Sequence, residues 1–401
     1  MSGKQSEEPI MHRTAIRTLI KFYSIIFNML QFISTLVLFL ASLLHYMSGF
    51  GLLEVIMKAY LFNGPDEMIF KDVRDPRIVS STDAIIKVSY STICGMDIKI
   101  RKGLLPEVCP GTILGHEFCG TVIETGSSVK RFKTGDKVAV NPITSCGHCE
   151  NCKNGKSEKC TNGGWLLGYS IDGCQAEFVK VPFADRSLVL IPEGIPVKDA
   201  VLAGDIGASG YQATLNANIK EGQSVVVTGS GPAACIAMMC SKIFKPSILI
   251  AVDNVPKRLK KLADSGIADE TVDCSNCNPV SEVTKILNGR KADVVIEATG
   301  INNFFSTAIS LTKDDGGISV LSIYSAPLIF STADIKNRWL TLNTRRIGAN
   351  AVSKVLELIG DRTIDTAFLS SGTGNFQELL IGYDLTTKKD EGFFKWICNH
   401  E

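Results

Sequence analysis

From Met57 onward, short apolar runs alternate with glycine and proline breaks. MKAYLF (57–62) reads as a strand and ends at the turn signal Asn63-Gly64-Pro65. AIIKVSYS (84–91), GTVIETG (120–126) and KVAV (137–140) read as further strands, the last one entered through Gly135-Asp136. Short strands at this spacing predict a compact, mostly β, barrel-like domain. At Gln223 the texture changes. SVVVTGSG (224–231) is an apolar strand running into a glycine turn, and PAACIAMMCSKIF (232–244) reads as a helix of small and apolar residues. The strand SILIAVD (247–253), the helix PKRLKKLADSG (256–266) and the strands ADVVIEATG (292–300) and GGISVLSI (316–323) follow. Continuous apolar strands separated by helices predict a doubly wound parallel sheet covered on both faces, hence an α/β chain. VSKVLELIG (352–360) has helical spacing, while IDTAFL (364–369) and GFFKWI (392–397) read as strands returning to the first domain.

Ahead of this body, positions 22–53 contain no Asp, Glu, Lys or Arg. The run exceeds the ~20 apolar residues that cross a bilayer. It is too long for a signal-peptide core and has no clear small-residue cleavage site. A membrane-spanning segment over 22–53 is one expectation; a leader with no membrane role, or an upstream start codon, is the other. With Arg13, Arg17 and Lys21 ahead of it, the positive-inside tendency would keep the N-terminus in the cytoplasm and pass the body across. That orientation conflicts with the chemistry read below, so the body itself is expected in the cytoplasm.

Composition narrows the function classes. The 401 residues suggest two or three domains. A net charge of +1, from 42 basic and 41 acidic side chains, argues against a general nucleic-acid binder. At 45% hydrophobic and 21% charged residues, the chain can build a large core and is not a disordered sequence. The 13 cysteines carry the chemistry. Cys146, Cys149, Cys152 and Cys160 fall within 15 residues, in a segment broken by Pro142, Gly147, Asn154 and Gly155. Four thiolates can close around one tetrahedral ion; zinc fits best, and a closed site is structural. Two disulfides, which need an oxidising compartment, and an iron–sulfur cluster are the alternatives. His148 inside the cluster reads as a surface-loop residue.

Two weaker constellations remain. Cys94 and Asp97 in CGMD, His116 and Glu117 in GHE, and Asp205 in GDIGASGY supply thiol, imidazole and carboxylate from separated elements. Such a set can hold a catalytic zinc with an open position, although spacing alone does not join them. Gly229-Ser230-Gly231-Pro232-Ala233-Ala234 lies between an apolar strand and a helix, the context in which a glycine string binds a dinucleotide. Gly229 serves the tight turn, Gly231 the close approach to a pyrophosphate at the helix N-terminus, and Ala234 helix–strand packing. Asp253, 24 residues after Gly229, would accept from ribose hydroxyls and repel a 2′-phosphate, favouring NAD over NADP.

The pieces MKA, CGMD, GHEFCG, the four-cysteine lobe, GDIGASGY, GSGPAA and EATG resemble, in order, those of the zinc-dependent medium-chain alcohol dehydrogenases. The resemblance runs from Met57 to about Ile397. It implies a GroES-like β-barrel catalytic domain over 57–203, with the zinc lobe at 141–162, and a Rossmann domain over 204–345. Residues 346–401 would return to the catalytic domain, and 1–56 would stand outside as the leader. It implies two Zn2+ per chain: a structural ion on the four-cysteine lobe, and a catalytic one on Cys94, His116 and Asp205. Asp at the third position matches a sub-branch of a family in which Cys is common. Glu117 would be a carboxylate able to approach or exchange onto the metal, and Asp97 would orient the site. NAD would be the cofactor, with Arg258 near the adenine and Ser209 near the nicotinamide. The implied reaction is reversible hydride transfer between nicotinamide and a small-molecule primary, secondary or polyol alcohol, giving an aldehyde or ketone. A dimer or tetramer is the implied assembly. A catalytically silent zinc- and NAD-binding paralogue, a formaldehyde- or polyol-type dehydrogenase, and a membrane-tethered scaffold remain as rivals. One departure stands out: Met96 occupies a position where the family commonly has a proton-relaying Ser or Thr, and Lys99 stands where some members carry a relay His.

Overall fold

The computed structural model describes residues 21–26, 29–37, 39–40, 56–324, 326–388 and 392–401. The chain divides into two units, Met1–Ile56 and Met57–Glu401. In the first, residues 21–26, 29–37 and 39–40 are helical and exposed, Phe22, Tyr23, Leu30 and Phe32 among them. Among the described residues no helix is long and apolar enough to cross a membrane. The span read over 22–53 therefore gains no support, and its positions 27–28, 38 and 41–53 lie outside the described residues.

In the second unit, six parallel strands lie in the order Glu270–Asp273, Ile248–Asp253, Ser224–Thr228, Ala292–Glu297, Thr312–Val320 and Thr341–Asn343. In chain order this is 3-2-1-4-5-6, the doubly wound pattern. The apolar runs are continuous because both faces are covered. Val225, Val227, Leu249 and Ala251 enter one core, while Val226, Ile250 and Val252 enter the other. Side chains alternating across each strand account for the split. The helix Pro232–Ser241 starts with Pro at its first turn, where no amide hydrogen is missed.

The other half is a seven-stranded sheet. Ala84–Thr92 is its hub, pairing with Phe118–Thr125 on one edge and with both Phe178–Val181 and Lys395–Asn399 on the other. Lys137–Val140, Leu188–Leu190 and Ser370–Asn375 complete it. Ile86, Val88, Phe118, Val122, Val138 and Val179 fill its interior. The C-terminal strand returns to this sheet as the sequence suggests, but residues 364–369 do not form a strand. Thr366–Leu369 is a helical turn, because the Asp365 carboxylate caps it by accepting from the Phe368 N–H. The strand begins only at Ser370.

Candidate active site and its metal centres

Each ligand of the second constellation sits at an element end. Cys94 caps the helix Gly95–Arg101: its sulfur accepts from the Met96 N–H, and Asp97 closes the capping box by accepting from the Cys94 N–H at 2.8 Å. His116 follows Gly115, whose φ of +96° puts it in the left-handed region. A β-carbon at Gly115 would meet Cys174 Sγ at 2.7 Å, so glycine is required for the close turn that aims His116 inward. Asp205 opens the helix Asp205–Ala217. The topology brings together side chains 111 positions apart, with Cys94 Sγ 3.4 Å from Asp205 Oδ2.

One donor atom from each of Cys94, His116 and Asp205 lies within 4.8 Å of the others. His116 Nε2 stands 3.7 Å from Asp205 Oδ2. A tetrahedral ion with bonds of ~2.0–2.3 Å separates its ligand atoms by about 3.3–3.8 Å, so the set fits zinc with one position open. The opposite ring nitrogen, Nδ1, faces Asp97 Oδ1 at 3.5 Å. That leaves Nε2 for a metal and lets Asp97 orient the ring. His116, Asp97 and Glu117 are buried, and His116 Nδ1, Asp97 Oδ1 and Glu117 Oε1 have no hydrogen-bond partner within normal range. A buried, partly unsatisfied anionic set is costly unless a cation completes it. Burial, with the Glu117 and Asp205 charges, pushes the Cys94 thiol up to about 12, so thiolate formation there requires the ion's own charge.

Glu117 stands apart from this ligand set. Its Oε2 accepts from Thr92 Oγ1 and from Lys395 Nζ, both buried. Lys395 also donates to the Ile93 carbonyl at 2.9 Å. Burial works against the Lys395 ammonium, but Glu117, Cys94 and Asp205 outweigh it and hold it charged. Lys395 lies 278 positions from Glu117 and carries no local motif, so sequence reasoning passed over it. Trp165 was missed for the same reason. Its ring meets His116 edge-on at 5.2 Å and stacks on Tyr169 at 4.6 Å, forming an apolar wall beside the metal position.

The four-cysteine lobe is gathered as its spacing suggests. The sulfurs of Cys146, Cys149, Cys152 and Cys160 lie within 4.8 Å of one another, and Cys149 and Cys160 are 3.9 Å apart. Backbone N–H groups of Cys146 and Cys149 point at the sulfurs of Cys160 and Cys146 at 3.2 and 3.4 Å. N–H bonds from Thr161 and Cys152 draw the Cys149 thiol down to about 5. All 13 cysteines are free of disulfides. His148 is exposed and its ring contacts the Cys146 carbonyl, away from a ligand role.

At the nucleotide end, Gly229 has φ +102°, and a β-carbon there would meet the Ala298 backbone at 3.1 Å. Gly231 faces open space. Ala233 and Ala234 lie in the first turn of the following helix, with Ala234 in the core. Asp253 Oδ2 accepts from the N–H and hydroxyl of Ser230, so the strand end and the glycine turn are joined. Arg258 is buried, and its guanidinium donates to the Phe393 carbonyl. Ser209 Oγ is 3.4 Å from Asp205 Oδ1.

The comparisons agree with this architecture. Residues 80–193 match the alcohol dehydrogenase GroES-like domain and residues 232–374 the zinc-binding dehydrogenase domain. A zinc-type alcohol dehydrogenase B from Aspergillus flavus is 32% identical, over 82% of this chain and 78% of its own. A zinc-dependent alcohol dehydrogenase 2 from Streptococcus pneumonia, solved in its apo form, is 32% identical with a TM-score of 0.81, covering 86% of this chain and 99% of its own. An alcohol dehydrogenase from E. coli CFT073, solved with NADH, is 26% identical with a TM-score of 0.79, covering 86% and 99%. The chain belongs to the zinc-dependent medium-chain alcohol dehydrogenase family of oxidoreductases.

Proposed function

We propose that the chain is an NAD-dependent alcohol dehydrogenase. A small alcohol would lose a hydride from its carbon to nicotinamide and a proton from its oxygen, giving an aldehyde or ketone. The observation that supports this most is the thiol, imidazole and carboxylate of Cys94, His116 and Asp205 converging within 4.8 Å of one another, three ligands for an ion that takes four. A zinc held there supplies Lewis acidity, which lowers the pKa of a bound hydroxyl. Asp97 keeps the His116 ring oriented, and Lys395 keeps Glu117 engaged outside the ligand set. Trp165 and Tyr169 exclude water on one flank and favour apolar substrate carbons. The four-cysteine lobe would hold the second, structural zinc.

NAD is the proposed cofactor, supported by the glycine turn, by Asp253 at the end of the adjacent strand and by the NADH-bound relative. An Asp253 charge would repel a 2′-phosphate. Asp253→Ser should narrow the preference for NAD, and a wild-type protein that prefers NADP would overturn the assignment. The enzyme body is placed in the cytoplasm, as a homodimer or homotetramer. The decisive experiment is a panel of alcohols followed by NADH absorbance, on protein of measured zinc content. Turnover with two zincs per chain supports the proposal. Both metals and NAD bound without turnover on any alcohol would identify a silent paralogue instead.

A further inference from the structure

Residues 392–395 join the nucleotide side of the molecule to the buried carboxylate beside the metal position. The helix Pro256–Asp264 follows directly on the strand that ends in Asp253. From it, Arg258 donates to the Phe393 carbonyl, with Nε at 3.1 Å, and Lys261 Nζ donates to the Gly392 carbonyl at 2.9 Å. Both cations also stand 5.4 Å from the centre of the Phe394 ring, which is 1% exposed. The next residue, Lys395, projects the other way, as successive side chains of a strand do. It meets Thr92, the Ile93 carbonyl and Glu117. One face of a four-residue strap is thus held by two cations of the nucleotide domain. The opposite face places the Lys395 ammonium that pairs with Glu117.

We infer that this strap couples the helix Pro256–Asp264 to Glu117, with Arg258, Lys261 and Lys395 as positioning residues. The inference rests on the proposed dehydrogenase site for its purpose, though not for its geometry. Releasing Arg258 lets the strap shift and draws the Lys395 ammonium back from Glu117. The carboxylate, already carrying one unpartnered oxygen, would then turn its charge toward an ion held by Cys94, His116 and Asp205. A less neutralised anion beside the metal position holds the ion more tightly. Arg258 therefore reaches the metal's electrostatic environment without touching it.

The test is a double-mutant cycle of Arg258→Met and Glu117→Gln in the full chain. It is read both as the urea midpoint and as the rate at which a chelator removes the zinc held by Cys94, His116 and Asp205. Residues that share no contact normally contribute additively. The strap requires non-additive midpoints, and Arg258→Met should slow zinc release by about threefold or more in the Glu117 protein but not in the Glu117→Gln protein. Arg258→Lys, which keeps a cation over Phe394, should restore much of the wild-type behaviour. Lys260→Met, on the same helix but exposed and paired with Asp264, should change neither reading. Additive behaviour in both readings overturns the inference even if the enzyme turns over alcohols. Absence of a second zinc or of turnover, with the midpoints still non-additive, removes the dehydrogenase reading and leaves the coupling standing.

Discussion

The two candidate metal clusters are assembled over very different lengths of chain. The lobe draws four sulfurs from 15 consecutive residues, at the surface, with backbone N–H groups already aimed at them. The Cys149 thiol is drawn down to about 5 by N–H groups of Thr161 and Cys152. The other cluster draws three ligands from three elements, buries them and leaves Cys94 at about 12. The lobe gathers its thiols locally, with Cys149 drawn down and Cys152 pushed up to about 12 by burial, whereas the buried site relies on the whole fold for placement. A closed site that stabilises can be local; a site with an open position must be held rigid by long-range packing.

The sharpest way to separate the two is to remove one ligand from each. His116→Ala should lower turnover by about 10³-fold or more, given that a Lewis-acid metal supplies several kcal/mol. Metal content should fall from two zincs to one. Two zincs, or turnover within about tenfold of wild type, would mean the buried set is not the catalytic centre. Cys152→Ser should do the reverse, because metal binding at a structural site is folding free energy. It should release the lobe zinc and expose residues 146–162 to protease. The buried zinc should stay bound and turnover should fall by less than in the His116 variant. Loss of both zincs together would show that the lobe is not independent.

The same contrast decided what could be read from the chain. The lobe was legible because its chemistry is periodic over a few residues, and the parallel sheet because both of its faces are apolar. Cys94, His116 and Asp205 were individually weak and gained meaning only from the resemblance, since 111 positions separate the first from the last. Lys395 and Trp165 were invisible because their partners are distant in sequence. The strand Glu67–Arg74 escaped notice because its side chains are largely exposed and show no apolar alternation. At 364–369 the apolar pattern suggested a strand, but a single Asp365 cap sufficed to make a helical turn.

A third prediction uses pH to load the strand that carries Lys395. The strand that begins with Lys395 ends beside His400, whose Nε2 shares a 2.8 Å hydrogen bond with Ser91 Oγ and whose ring stacks on Phe376. Burial lowers its pKa to about 3. Because the folded value lies below the unfolded one, the unfolded chain takes up the proton first. Stability contributed by neutral His400 is complete above about pH 6.5 and falls as pH drops toward 3. Between about pH 6.5 and 5 the loss should be about 1–2 kcal/mol. His400→Gln should flatten that part of the urea-midpoint profile and leave zinc retention by the lobe unchanged. An equal slope in both proteins would mean that His400 titrates normally.

The smallest effect tests how far the buried site is open to water. Met96 is the second residue of the helix that Cys94 caps, and it is only half-buried. Lys99, one turn on, reaches the Ile323 carbonyl at 3.4 Å and so has a partner other than a substrate proton. Neither side chain is placed as a relay: a thioether cannot pass a proton. A positioned proton carrier is typically worth about 10²–10⁴-fold, but solvent reaching the exposed side of Met96 would supply much of that. Met96→Thr should therefore raise turnover by up to about tenfold near neutral pH and by less in alkaline solution, where hydroxide takes the proton. It should not alter zinc content, since Met96 meets Cys94 only through its backbone N–H. Equal rates for the two proteins across the pH range would mean that water already carries the proton, and that the buried site, closed on its His116 side by Trp165, is open to solvent at the end of the helix where Met96 stands.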